Sequence, residues 1–222
     1  MPLNERQIEA LLCAIKAYDY PVELHNFEKD TKIPLRSMRE LEAFLRKGLF
    51  SKDTEELKFA FANIVYWGNI NSGYCSFRVA KFLNEITENK LEEAIDLFAN
   101  ISGDSLAAIK NIRLPQFSNM SFVSKLRMFL DPENFVILDR KLLKIKGSGV
   151  HTLFSNICQQ GTYIPINSQN CKQYVLWSQK CRDAASTYFR IKEVIAVDIE
   201  RGIFKMVDKG KINEASVIVA NM

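Results

Sequence analysis

"MSFVSKLRMFLDPENFVILDRKLLKI", residues 120–145, decides how this chain is read. A segment with helical spacing runs into "DPEN" and a short apolar run, "FVIL", follows. Asp139 then stands where that run gives way to basic residues, fourteen positions after Lys125. Position alone leaves two readings of Asp139 open. As a helix N-cap it accepts a hydrogen bond from the amide of Lys141 or Leu142, a role that suits Asp. As a functional carboxylate it stands at the mouth of a cleft, anchored by the apolar residues before it.

Charge is distributed unevenly around this stretch. Between Lys110 and Lys146 the chain carries eight basic residues (Lys110, Arg113, Lys125, Arg127, Arg140, Lys141, Lys144 and Lys146) against Asp131, Glu133 and Asp139. The net charge is +4, so the remainder stands near minus one. A local excess of this kind suits a surface that faces a polyanion. The same run also reads as the solvated face of ordinary helices.

Composition excludes several classes. With 222 residues, 47% apolar and 25% charged, the chain can bury a core as one domain or as two packed lobes. Five cysteines, odd in number and without a CxxC pair, together with an N-terminus that has no charged-then-apolar leader, predict a reduced, cytoplasmic setting. Cys158, Cys171 and Cys181 are too widely and irregularly spaced for zinc or iron-sulfur patterns, with only His25 and His151 to assist them. No metal and no cofactor is expected. No apolar run approaches the roughly 20 residues that span a bilayer. Neither histidine has an identifiable acid or nucleophile partner, and no GxSxG, Walker or dinucleotide fingerprint is present.

Outward from the central stretch, helical periodicity recurs almost from end to end. In "NERQIEALLCAIKAY", Asn4 can cap a helix whose apolar face is Ile8, Leu11, Leu12 and Ile15. "LRSMRELEAFLRKGLF" follows with Ser37 as cap and Gly48 as stop, and "DTEELKFAFANIVYWGNI" with Asp53 as cap and Glu56 three residues on. "GYCSFRVAKFLNEI", "NKLEEAIDLFANI", "DSLAAIKNI", "MSFVSKLRMFL", "LDRKLLKI", "NCKQYVLWSQKCRDAASTYF" and "VDIERGIFKMV" continue the pattern; "FVIL" and "ASVIVA" are ambiguous. The expectation is an all-α, compact, bilobed bundle of about ten helices with a central cleft. It forms one helical domain over 1–222, in which 109–145 holds two helices joined by a tight turn and then the Asp-bearing segment.

In "IKNIRLPQFSNMSFVSKLRMFL" the turn and the start of the second helix aim backbone N–H groups outward, where a phosphate can bind them. A hairpin of two helices, with a residue on the second helix that is Lys or another side chain and, about eighteen residues after that residue, a cleft-facing Asp at the head of a helix, resembles the helix-hairpin-helix DNA glycosylase superfamily. "VILDRKLLKI" resembles the segment bearing that family's catalytic Asp, and "WSQKC" with "VDIERGIF" its closing helices. The resemblance spans residues 55–207 and is strongest over 112–145.

There are two departures. The family hairpin reads Leu-Pro-Gly-apolar-Gly, whereas this chain has "LPQFSNMS", so a residue such as Asn119 must supply the left-handed conformation that glycine gives. Eighteen residues before Asp139 stands Ser121, where lyase-competent branches carry a Schiff-base lysine. Lys125 lies one turn further along the same face, either lining the same pocket or serving as a phosphate contact or surface charge.

The resemblance therefore implies a DNA base-excision glycosylase without strong lyase activity. It would flip a base and cleave its N-glycosidic bond with Asp139, with Ser121 and Lys125 lining the approach. Gln116, Ser118, Asn119, Arg140 and Lys141 would hold the DNA backbone. Trp67, Asn69, Tyr74 and Trp177 are the base-pocket candidates, although Tyr174, Trp177, Cys181, Ala184 and Tyr188 also share the spacing of a core stripe. The expected partner is duplex DNA, engaged by a monomer without a membrane. A catalytically inactive DNA- or nucleotide-binding module of the same fold, and a helical protein-interaction domain, are the competing expectations.

Overall fold

The computed structural model describes residues 2–103 and 105–222, and among them the protein is all-α apart from one two-stranded hairpin. The chain divides into two compact units, Met1–Asp19 with Asp131–Met222, and Tyr20–Leu130. Among the described residues no helix is long and apolar enough to cross a membrane.

The first unit is assembled from both ends of the chain. It comprises α1 (Glu5–Lys16), two 3-10 helices (Arg140–Ser148 and Leu153–Asn156), α8 (Ser168–Tyr188), a 3-10 turn (Arg190–Lys192), α9 (Ala196–Asp208) and α10 (Ile212–Asn221). Asn4 caps α1 through a reciprocal pair of hydrogen bonds with Gln7. Helix α1 lies directly on α9 because Gly202 has no side chain; a Cβ there would stand 2.7 Å from Leu11 Cδ1 and 2.8 Å from Ile15 Cγ1. The "LDRKLLKI" segment is a 3-10 helix rather than an α-helix. "ASVIVA" is helical, within α10.

The second unit is contiguous. Its hairpin, β1 (Glu23–Asn26) and β2 (Thr31–Pro34), precedes α2 (Met38–Leu49), α3 (Thr54–Asn69), α4 (Cys75–Glu85), α5 (Glu88–Ala99), α6 (Leu106–Asn111) and α7 (Met120–Leu130). Asp104, at the start of the "DSLAAIKNI" segment, lies outside the described residues.

Helix α3 is the hub, buried without interruption from Ala60 to Trp67. Phe61 projects from it into a cluster of edge-on rings with Phe82, Phe98 and Phe117 at 5.6–6.2 Å between centroids. Asn63, on the same helix, replaces a missing third strand. Its Oδ1 accepts from the His25 amide at 2.7 Å and its Nδ2 donates to the His25 carbonyl at 3.3 Å. Ser37 and Asp53 cap α2 and α3 as their sequence positions predict. Gly48 does not stop α2; it sits inside the helix, where a Cβ would come within 2.9 Å of Ala60 Cβ.

Gly202→Val forces the α1–α9 pair apart. It is expected to lower unfolding free energy by about 1–3 kcal/mol, as overpacking of a filled interface does, measured by urea denaturation.

Candidate nucleic-acid interface

The second unit contains the helical hairpin, α6, a tight turn and α7. The turn is fixed from inside by Leu114 and Phe117, both almost fully buried, with the Phe117 ring edge-on to Phe122 at 6.1 Å. Lys90 closes the end of α6 by donating to the Arg113 carbonyl at 2.9 Å. Left-handed backbone occurs at Arg113 (φ 58°) and Gln116 (φ 69°). The sequence-based expectation put it at Asn119. That residue instead caps α7, its Oδ1 accepting from the Phe122 amide at 3.1 Å. The left-handed positions are thus Arg113 and Gln116, which flank Leu114-Pro115. The Gln116 side chain accepts from Arg78 Nη1 at 3.2 Å, and neighbouring Ser118 is exposed.

Helix α7 also carries Ser121 and Lys125 on one face. Lys125 is not a surface charge, being only 6% exposed. Its Nζ donates to the Ser121 carbonyl at 3.3 Å and lies 5.2 Å from the centre of the Phe122 ring, and its stem runs beside Gly68. Arg127, one turn from the end of the same helix, is 3% exposed and donates through Nε and Nη2 to the Gly103 carbonyl. Both cations therefore serve the interior, leaving Lys110 and Arg113 as the exposed basic side chains of this hairpin.

Asp139 belongs to the first unit, because the division of the chain falls between Leu130 and Asp131. The run before it, Val136 to Leu138, is buried without regular secondary structure. Trp177 holds it from α8, its indole N–H donating to the Ile137 carbonyl at 3.0 Å, and Arg182 donates to the Asn134 carbonyl at 2.6 Å. Asp139 then caps the 3-10 helix, with Oδ1 accepting from the Lys141 amide at 2.9 Å.

The carboxylate lines an open depression of about 480 Å³ together with Arg140, Lys141, Leu143, Lys144 and Gln159. Its size falls in the range of small-ligand sites, and its polar groups are one anion, three cations and an amide. Lys141 is already engaged. Its ammonium sits 2.6 Å from Asp208 and 4.8 Å from the centre of the Phe204 ring. That contact holds the Asp208 carboxyl below the usual carboxylate range.

The base-pocket candidates are dispersed. Trp67, 2% exposed, is wedged edge-on between Tyr20 and Phe129 and donates its indole N–H to the Pro21 carbonyl at 3.0 Å. Asn69 is buried and donates to the Val65 carbonyl at 2.8 Å. Trp177, with Phe154 edge-on at 5.0 Å, is core of the first unit, as are Tyr174, Cys181 and Ala184. Tyr74 alone of the four is exposed. Sequence reasoning missed the clamp from Trp177 to Ile137, although a buried indole N–H usually finds an acceptor. No family model, curated protein or solved structure matches this chain.

Gln116→Gly relieves left-handed strain and is expected to raise stability by about 1 kcal/mol, net of its contact with Arg78. Thermal unfolding should register this as a midpoint about 2–4 °C higher.

A carboxyl whose pKa falls on folding adds stability that is complete above its unfolded value of about 4 and is lost as pH drops through the lower folded value. Asp208 is 38% exposed in its side chain, so screening keeps its contribution below about 1 kcal/mol. An NMR titration of Asp208 should show a midpoint below that of a free aspartate, moving back up in Lys141→Ala.

Proposed function

We propose that this protein is a DNA-binding, base-excision glycosylase-like protein of the helix-hairpin-helix type, in which Asp139 is the carboxylate that acts on the N-glycosidic bond. The observation that carries this reading is the setting of Asp139, a carboxylate at the head of a helix that lines an open depression with Arg140, Lys141 and Lys144. Cations there attract the sugar-phosphate backbone. The anion stabilises the positive charge that develops on the sugar as the base departs, or accepts a proton from the attacking water. The left-handed Gln116 supports the hairpin half of the reading, because this backbone conformation occurs where the resemblance requires glycine.

Ser121 occupies the position of the lyase nucleophile, and the Lys125 amine is turned back onto its own helix. The reaction is accordingly read as base removal that stops at the abasic site. A second reading is favoured by the turn itself, which lacks both glycines and whose Gln116 side chain is occupied by Arg78. In that case the fold binds DNA without catalysis.

Asp139→Asn separates the two. Asparagine caps helices as well as aspartate does, so folding and duplex affinity should persist. The wild type should release bases from a panel of lesion-bearing duplexes, and the variant's rate should fall by at least about a hundredfold, the scale of losing one positioned acid-base or electrostatic group. Duplex binding with no abasic product from any lesion would leave the binding module; a variant as active as the wild type would remove Asp139 from the chemistry.

A further inference from the structure

The hairpin turn of the second unit has a neighbour that base excision does not use. The hydrogen bond from Arg78 Nη1 to Gln116 Oε1 at 3.2 Å ties the start of α4 to the turn. Immediately beside Arg78 stand the two most exposed aromatic rings of the described residues, Tyr74 at 69% and Phe77 at 67%. They are three residues apart at the head of a helix, a spacing that places them on one face. Their support is ordered. The Tyr74 amide donates to Ser72 Oγ at 3.1 Å, and its carbonyl accepts from the Arg78 amide at 2.9 Å. Among the described residues neither ring packs against another aromatic. Both faces are therefore offered outward rather than spent on the core.

Charge indicates what such rings receive. The two segments that meet at the Arg78–Gln116 bond, residues 57–84 and 105–130, contain seven basic side chains and no acidic one, and the carboxylate that ends α4, Glu85, is paired with Lys81 at 3.7 Å. Lys125 and Arg127 are buried, but Arg78, Lys81, Lys110 and Arg113 remain at least partly accessible. Exposed aromatics beside an excess of cations suit a polyanion that also presents flat apolar faces. Single-stranded nucleic acid has this combination, because its phosphates meet cations while its unpaired bases stack on rings. Intact duplex does not present its base faces.

We propose that Tyr74 and Phe77 form a stacking platform for unpaired bases of DNA passing the hairpin turn, so that the preferred ligand is duplex interrupted by a single-stranded segment. The proposal rests on the nucleic-acid reading of the hairpin. It adds a DNA structure as ligand, and two residues that recognise it without taking part in the chemistry.

The test is fluorescence anisotropy at low salt with two labelled DNAs, a continuous duplex and the same duplex with a short single-stranded gap. The wild type is expected to bind the gapped DNA about tenfold tighter, within the range for stacking one base on an aromatic side chain. Tyr74→Ala with Phe77→Ala, both surface changes whose folding is checked by circular dichroism, should bring the gapped affinity down to that of the continuous duplex. Affinity for continuous duplex, and its dependence on salt, should stay unchanged. Equal wild-type affinity for the two DNAs, or a preference that survives the double substitution, overturns the platform while leaving the hairpin reading in place. Binding of neither DNA overturns both.

Discussion

A chain without regular secondary structure buried in a helical core must find partners for its peptide groups without a sheet, and residues 136–138 meet that constraint in the first unit. Each buried carbonyl or amide left unbonded would cost on the order of 1–3 kcal/mol. Trp177 of α8 meets part of that demand by donating to the Ile137 carbonyl, while Arg182 of the same helix holds the exposed turn before the run through the Asn134 carbonyl. With Val136 and Leu138 fully buried, the segment has no freedom to slide. The consequence is functional. Asp139 emerges from a fixed run at a fixed point and caps the helix that follows, so its carboxylate is positioned by the core rather than by a flexible loop. The candidate chemistry thus depends on an indole some forty residues downstream that never reaches the depression.

Helices were legible because burial on one face leaves a periodic trace. Asn4, Ser37 and Asp53 are at their caps, and the core stripe of α8 follows its spacing from Tyr174 to Ala184, with Tyr188 only half-buried. The β-hairpin left no such trace. Its strands are four residues each, one of them exposed throughout, and the other is anchored at His25 by Asn63 from a helix remote in sequence. "FVIL" was ambiguous for a related reason. Complete burial erases the alternation that separates strand from helix, and here the segment is neither.

The candidate site was legible in part. The Asp139 cap and the hairpin follow from local pattern, but the division between Leu130 and Asp131 does not, since nothing in "DPEN" distinguishes a turn within a unit from a passage between units. Counting charges also conceals burial. Of the eight basic residues from Lys110 to Lys146, Lys125 and Arg127 are interior groups bonded to backbone carbonyls, and Lys141 is paired with Asp208. Glycine presents the opposite difficulty. Gly48 resembles a helix stop in sequence, yet it makes room for Ala60 in the packing of α2 on α3, while the left-handed position at residue 116 is filled by glutamine.

The arrangement of the first unit from two distant parts of the chain bears on how the protein is made. On a ribosome, residues 20–130 emerge as a continuous block with all their partners already synthesised. Helix α1, by contrast, emerges first and must wait for α9, some 180 residues later, before Gly202 offers it a seat. At ordinary elongation rates of about 5–20 residues per second that interval is roughly ten to forty seconds. Throughout it the apolar face of α1, centred on Leu11, is uncovered. For that interval the nascent chain carries an adhesive helix, open to chaperone capture or to premature association with a second nascent chain.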